Sequence, residues 1–553
     1  MGCNVIWFRR DLRLADHPAI QEGARRGVVV PLFILDPALL AHPETAPARV
    51  AFLLQSLRAL DRELRHCGAR LLVRCGDPAT ELIRVVQASG ADGVLALIDH
   101  ERLFGRQRDA AVAARLARER MPLHWLEPPG GCPELLPYLA WQQHWHQAMA
   151  ALPAAPPPRL QAPPVSAALP DQPIPSLEEL GMQPDGKPLP PAGSAAALAR
   201  LDAFCQGQAS RRYYWELSYP AARATSGLSP YLKFGVVSAR QCLHRLQGLG
   251  SGDPARARSA RQLASRLRWG AAMHQRFRYL PQLELRSLWS DYDEPAADHG
   301  DPRGSGDPLA PAPLSGLAAE LYSRWQQGRT GFPIVDAAAR CLAAEGGWLE
   351  LNFRSRAIYA SFLVNLCGID WRWGALHFMR HLIDGDCPID HYQWAMQAGV
   401  TVRGDAAWTR IYHPGQVAVD RCDPQGEFIR RWLPELAELT NDQLGQPPAM
   451  AAYPPPLLDY DSARRQRLAT LQQQRRRIGD VRQAIARLPE PWCSLPLLPA
   501  AVPLDGLAPS QWQALLSWFT AARPAAASAA PRPERSRRRS RQDPGQLSLD
   551  LGL

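Results

Sequence analysis

Five short apolar runs, Val5 to Phe8, Val28 to Ile34, Leu71 to Arg74, Val94 to Ile98 and Leu123 to Leu126, are separated by polar segments of helix length. A strand that is apolar along its whole length is buried on both faces, and parallel strands need a crossover helix between them. This rhythm therefore predicts a parallel, Rossmann-like α/β unit. It carries no G-x-G-x-x-G, so a standard dinucleotide fingerprint is absent. From Leu152 to Gly193 the chain is crowded with proline, including Pro156, Pro157, Pro158, Pro163, Pro164, Pro188, Pro190 and Pro191. Such a composition favours an extended connector. From Ala195 onward the apolar spacing becomes three and four residues, as in Ile358, Phe362, Leu363 and Leu366, which predicts an all-helical second unit.

A chain of 553 residues is also too long for one compact core. The expected division is an α/β domain over 1–130, a proline-rich linker over 131–195, a helical domain over 196–495 and a C-terminal extension over 496–553. Asp291 to Ser315, rich in Gly, Pro and Asp, reads as a long loop inside the helical unit. Past Arg523 the chain is Ala, Pro, Ser and Arg, too poor in large apolar groups to fold alone.

Several classes are excluded early. No run of about 18 apolar residues occurs, and charges at Arg9, Arg10 and Asp11 stand where a signal peptide needs its apolar stretch. A soluble, cytoplasmic monomer is expected. The eleven cysteines contain no C-x-x-C pair, which argues against a zinc ribbon, a thioredoxin motif or a tightly spaced iron–sulfur site. The formal charge of +10 suits an anionic partner, but part of it lies in the tail and by itself it identifies none.

Three groups of residues could carry chemistry. In Thr225-Ser-Gly-Leu-Ser229-Pro230, Ser229 reads as an N-cap and Pro230 as the first helical residue. With the hydroxyls of Thr225 and Ser226, that helix start would cradle phosphate. Arg356 falls on a helix spanning Asn352 to Leu366, while Asp384 and Asp386 share a tight turn. A buried Arg–Asp pair beside a reduced cofactor ring stabilises negative charge on it. Trp371 and Trp394 could pass an electron by hopping. Each group alone is more often structural, because caps, ion pairs and core tryptophans are common.

Their order along the chain adds what the groups lack singly. Trp325-Gln-Gln-Gly-Arg-Thr-Gly-Phe-Pro-Ile-Val-Asp-Ala-Ala-Ala-Arg340 is followed by Ala360 to Leu363, Ile369 to Arg372, Leu382 to Asp386, Arg410 to Pro414 and Asp423 to Leu436. With Thr225 to Leu232, Ser238 to Leu243 and Asn4 to Leu14, this series resembles the DNA photolyase and cryptochrome family of blue-light flavoproteins. The resemblance implies FAD held in a U shape by the helical domain, cradled chiefly between Trp325 and Leu436. It implies that Tyr213, Thr225, Ser226, Leu228 and Ser229 hold the phosphates and ribityl chain, and that Arg356, Asp384 and Asp386 frame the flavin. Trp394 and Trp371 match the first two members of the family's electron-transfer chain. The third match falls near Ser315, leaving Trp289, Trp348 and Trp408 as candidates.

Departures from the family pattern bear on what the light does. Dimer-repairing members place a glutamate and a tryptophan three residues apart in the DNA pocket. Here Trp269 is kept, Arg266 stands for the glutamate, and Met396 stands for the second aromatic of the clamp. A lost base–aromatic stack costs about 1 to 3 kcal/mol. Asp390 stands where most photolyases have asparagine facing the flavin, and plant cryptochromes share that aspartate as a proton donor. The flavin-contacting asparagine falls either at Asn352 or is lost at Phe353, and the histidine pair of animal-type (6-4) photolyases is missing. The resemblance leaves open whether a second antenna chromophore, folate or deazaflavin, binds the α/β domain. In the tail, Arg532 to Arg541 is basic, and Gln546, Leu547, Leu549 and Leu551 resemble the peptide by which bacterial proteins dock in the sliding clamp. Three readings follow: light-driven repair of pyrimidine-dimer damage in DNA, a cryptochrome-like photoreceptor without repair, and an interaction protein that keeps FAD only structurally.

Overall fold

The computed structural model describes residues 2–133, 136, 138–163, 170, 172–279, 281–285, 287, 314–400 and 410–486. The five apolar runs become five parallel strands, β1 Gly2–Phe8, β2 Gly27–Leu35, β3 Leu72–Cys75, β4 Gly93–Leu97 and β5 Leu123–Leu126, in the order β3-β2-β1-β4-β5. β1 lies at the centre, with Val5 opposite Val30 on one side and Val94 on the other. The strand period of two divides its side chains between the faces. Val5 and Trp7 pack with Leu82, Val85 and Leu116, whereas Ile6 and Phe8 pack with Ile20, Phe52 and Leu57. Each buried aliphatic or phenyl group contributes about 1.5 to 3 kcal/mol. The helices on the first face are α3 Pro78–Ser89 and α4 Leu103–Arg118, and those on the second are α1 Pro18–Arg26 and α2 Pro47–His66.

The described residues of the proline-rich segment are anchored. Val29 N donates to Gln161 O at 2.8 Å, Leu160 N donates to Cys67 O at 2.6 Å, and Arg58 donates to the carbonyl of Pro175 at 2.8 Å. Within the expected linker the structure also shows a helix, α5 Tyr138–Ala150. Its buried Tyr138, Trp141, Trp145 and Met149 repeat at helical spacing and join the core of the helical unit.

That unit includes α6 Ser194–Gln206, α7 Ala209–Glu216, α8 Ser229–Lys233, α9 Pro254–Tyr279, α10 Pro333–Glu345, α11 Phe353–Ser361, α12 Trp371–His381 and α13 Cys387–Ala398. Asn352 is the N-cap of α11, its Oδ1 accepting from Arg354 N at 3.0 Å and Ser355 N at 3.1 Å. The helix expected over 352–366 is present, but its last turn, Phe362–Leu366, widens to π geometry. Among the described residues no helix is long and apolar enough to cross a membrane.

Candidate flavin site

A cavity of about 630 Å³ opens where the carboxyl ends of β1 and β4 face α9, α11 and α13. Ligands of open parallel sheets bind outside these strand ends, because the following loops can be varied without disturbing the sheet. Arg9, Arg10 and Asp11 after β1, and Asp99 and His100 after β4, form one wall. α9 adds Arg266, Gly270 and His274 at four-residue spacing, α11 adds Phe353, Arg356 and Ala360, and α13 adds Asp390, Trp394 and Met396.

Asp384 and Asp386 lie on the turn between α12 and α13 and both reach the cavity. Arg356 Nη2 lies 3.4 Å from Asp384 Oδ2, so the expected Arg–Asp pair is formed, although its length makes it a weak hydrogen bond. The Arg356 Nε also donates to Leu351 O at 2.9 Å, which fixes the guanidinium against the cavity wall. Asp384 Oδ1 and Asp390 Oδ2 are buried without a hydrogen-bond partner. Unpaired buried oxygens are costly and mark positions that a polar ligand edge satisfies. Asp386 differs, because it reaches across to the α/β unit. Its Oδ2 accepts from Arg10 Nη1 at 2.8 Å and its Oδ1 lies 3.1 Å from His274 Nε2. Arg10 also pairs with Asp99, and Lys233 pairs with Glu101.

The two acidic groups at the start of α13 have opposite electrostatics. Burial opposes ionisation of Asp386, but His274, Lys233 and Arg10 outweigh it and hold the carboxyl well below its ordinary range. Burial pushes the Asp390 carboxyl up to about 8, against the pull of His391. His391 Nε2 lies 3.1 Å from Glu44 Oε1, and its Nδ1 lies 3.6 Å from Asp390 Oδ2. Burial disfavours the His391 cation, yet Cys387 and Glu44 overcome this and raise it well above the imidazole range. Neither His391 nor Arg10 stood out as a site residue in the sequence. Asp390 is not a helix cap: it sits in the first turn of α13 with one oxygen free.

Trp394 forms part of the cavity wall. It can pack against α12 because position 374 is glycine, where a Cβ would come within 2.3 Å of the indole. Its ring meets Phe378 edge-on at 4.9 Å and Trp325 edge-on at 6.3 Å. Trp325 in turn stacks on Tyr359 at 4.1 Å, a connection the linear motif did not reveal. Trp371 is buried one layer back, edge-on to His391 at 6.0 Å, with its Nε1 donating to Ser287 Oγ at 2.9 Å. Among the described residues no ring contact joins Trp371 to Trp394. Trp348 packs at the periphery of the core shared by the α/β unit and the first helices, whereas Trp289 and Trp408 lie outside the described residues.

The phosphate segment also differs in detail from expectation. α8 begins at Ser229 itself, with Leu228 in the cap position and no side-chain cap bond, so Ser229 is not the N-cap and Pro230 is the second helical residue. Five residues give α8 only a short dipole, and Ser229 lines the cavity through its position at the helix start. Gly227 turns the chain at φ 65°, and a Cβ there would strike the Arg200 guanidinium, which donates to Ser226 O at 2.9 Å. Thr225 Oγ1 is buried and unpaired and Ser226 and Leu228 are buried, but none of the three lines the cavity. Tyr213 is buried as well and shares a hydrogen bond with Arg266, a residue of the cavity wall. The cavity size, the unpaired Asp384 oxygen and the fixed Arg356 suit a large cofactor with a polar ring edge.

At the mouth, Phe353 lines the cavity and is flanked by the guanidinium groups of Arg266 at 4.8 Å and Arg354 at 5.5 Å. Asn352 caps the helix through Oδ1 while its Nδ2 is buried without a partner, and the residue that lines the cavity here is Phe353. Met396 lines the cavity, whereas Trp269 packs against the helical core and does not. Gln546, Leu547, Leu549 and Leu551 lie outside the described residues.

Comparisons with known proteins agree with this architecture. Residues 4–159 match the DNA photolyase model, and residues 263–473 match the FAD binding domain of DNA photolyase. A deoxyribodipyrimidine photo-lyase of Synechococcus sp. is 33% identical over 492 residues, which are 84% of this chain and 95% of that protein. Cryptochrome-1 of Arabidopsis thaliana is 30% identical over 81% of this chain and 65% of that protein. The crystal structure of a bacterial class III photolyase from Agrobacterium tumefaciens superimposes with a TM-score of 0.70 at 26% identity, covering 86% of this chain and 98% of the other. The chain belongs to the DNA photolyase and cryptochrome family, with an N-terminal α/β domain and a helical FAD domain. FAD is its cofactor.

Proposed function

We propose that this protein uses blue light and FAD to repair pyrimidine dimers in DNA. The observation that supports this most is Trp394 in the wall of a cavity lined also by Arg266, Arg354 and Arg410. Cationic groups there meet the phosphates of a flipped nucleotide, since backbone contacts position nucleic acid without reading its sequence. When bound, reduced FAD supplies the electron that splits the dimer. Arg356 and Asp384 orient the ring, Trp394 relays an electron toward it, and Asp390 holds a proton at its edge. Tyr213, Thr225, Ser226, Leu228 and Ser229 hold the rest of the cofactor. Arg266, Phe353 and Met396 stand in place of the polar and aromatic clamp of dimer pockets, so the grip on the lesion is weaker and single-stranded damage, with no pairing energy to break, is the better substrate. A sliding-clamp contact through Gln546, Leu547, Leu549 and Leu551 would bring the protein to DNA.

To test this, the flavin is reduced with blue light and dimer-containing single- and double-stranded DNA is added. Light-dependent loss of dimers, faster on single strands, is expected; no loss on either sinks the repair reading. Removing Gln546 to Leu553 should abolish capture by the purified clamp, and retained capture removes that contact. The protonated Asp390 and the apolar Phe353 favour a second reading, a blue-light receptor without repair, which the same absence of dimer loss would select.

A further inference from the structure

We propose that His391 is the proton reservoir of Asp390, refilled from the α/β domain through Glu44. The proposal rests on the reading that Asp390 donates a proton into the flavin cavity. Asp390 Oδ2 and His391 Nδ1 are both buried, neither has a hydrogen-bond partner, and they lie 3.6 Å apart. An approach of about 0.5 Å makes that contact a hydrogen bond. On the opposite edge of the ring, Nε2 is held 3.1 Å from Glu44 Oε1. The other Glu44 oxygen pairs with Arg102, and Glu44 N donates to His42 Nδ1 at 3.2 Å. The series Asp390, His391, Glu44 therefore leads from the cavity wall into the α/β domain, with the partly exposed His42 beside its far end.

The remaining groups facing His391 do not compete for the role. On its own helix the Cys387 thiol is pushed up to about 12 by burial and stays protonated. α12 presents only the edge of Trp371. Glu284, at the end of the short turn Pro281–Glu284, is committed to Arg102 and to Leu103 N. Arg49 on α2 donates to the carbonyls of Met379 and Leu382 at 2.7 and 2.8 Å. His391 is therefore the one described group with a transferable proton that touches both Asp390 and a carboxylate of the other domain.

The balance is simple. Asp390 gives its carboxyl proton to the acceptor in the cavity, and His391 passes its Nδ1 proton to the resulting carboxylate. A neutral imidazole remains, with Nε2–H on Glu44. The neutral ring then turns about Cβ–Cγ to present its bare nitrogen to Glu44, and one solvent proton arriving on that side restores the imidazolium. One proton has then moved from solvent to the cavity, and no electrons have moved along this path.

The experiment uses the full-length flavoprotein after a blue flash, following the Asp390 carboxyl band by infrared difference spectroscopy and proton uptake by a pH-indicator dye. In the wild type the band is lost and regained, and the dye reports one proton taken up. His391→Gln should lose the band to the same extent but regain it about 100-fold more slowly, the low end of what a positioned acid–base group contributes. Glu44→Gln should slow proton uptake while leaving the first loss of the band unchanged. The dark flavin spectrum of each variant shows that it has folded. If His391→Gln regains the band at the wild-type rate, His391 is only half of an interdomain ion pair and the proposal fails. If the wild-type band never changes on illumination, the donor reading of Asp390 fails and the relay with it.

Discussion

Asp386 and Asp390 stand one helical turn apart at the start of α13, both buried and both facing the same cavity. The first is held ionised and the second is held neutral at ordinary pH. Burial acts on both in the same direction, so it cannot be the cause of the difference. What differs is the reach of cations: Arg10 and His274 contact Asp386 directly, whereas the nearest cation to Asp390, His391, spends its charge on Glu44. The Asp386 turn belongs to the boundary between the two domains, and the Asp390 turn belongs to the cofactor edge. One helix start thus supplies both a domain clasp and a neutral acid.

The strongest way to break this contrast is Asp386→Asn. It leaves His274 without its carboxylate and takes one from Arg10, and removing one partner of a buried ion pair costs about 3 to 5 kcal/mol. Thermal unfolding should move down by several degrees with loss of bound FAD; an unchanged unfolding temperature would mean that the clasp carries no stability. A smaller effect should come from Met396→Trp, which offers a second aromatic face at the mouth and should tighten binding of dimer-containing single strands by about 1 to 3 kcal/mol in a titration. Unchanged affinity would place the lesion elsewhere.

The smallest effect at neutral pH should come from Asp390→Asn, since one neutral group replaces another of the same shape. Its signature is instead a pH dependence. A carboxyl raised in the folded state adds stability that is complete below its unfolded value of 3.8 and is lost as pH rises through about 8. Denaturant titrations should therefore show the wild type losing stability relative to Asp390→Asn between about pH 4 and pH 8. Parallel curves would deny the shift. Trp394→Phe sharpens the other wall: light-driven flavin reduction with an external reductant should be abolished while FAD content is kept.

The parts of this contrast that were legible in the sequence were local. Five apolar runs became five strands because a strand buried on both faces leaves an unbroken signature, and Asp384 and Asp386 reached the cavity because their turn is set within four residues. The pairing of Asp386 with Arg10 joins residues 376 apart, and no periodicity reports such a contact. α5 was hidden by its proline-rich surroundings, although Tyr138, Trp141, Trp145 and Met149 carry the helical period. That Asn352 caps the helix through its oxygen while Phe353 lines the cavity became visible only when the helix start was known. Trp371 and Trp394 matched a familiar pattern, but the tryptophan whose ring meets Trp394 is Trp325, a contact across 69 positions that no linear motif reports.

The contrast between the two turns reduces to which carboxyl carries a proton. The infrared spectrum of the dark flavoprotein at pH 7, compared with Asp390→Asn and Asp386→Asn, reads this directly. The account predicts a protonated-carboxyl band that disappears in Asp390→Asn and persists in Asp386→Asn. A band that survives Asp390→Asn, or one that vanishes only in Asp386→Asn, would contradict it.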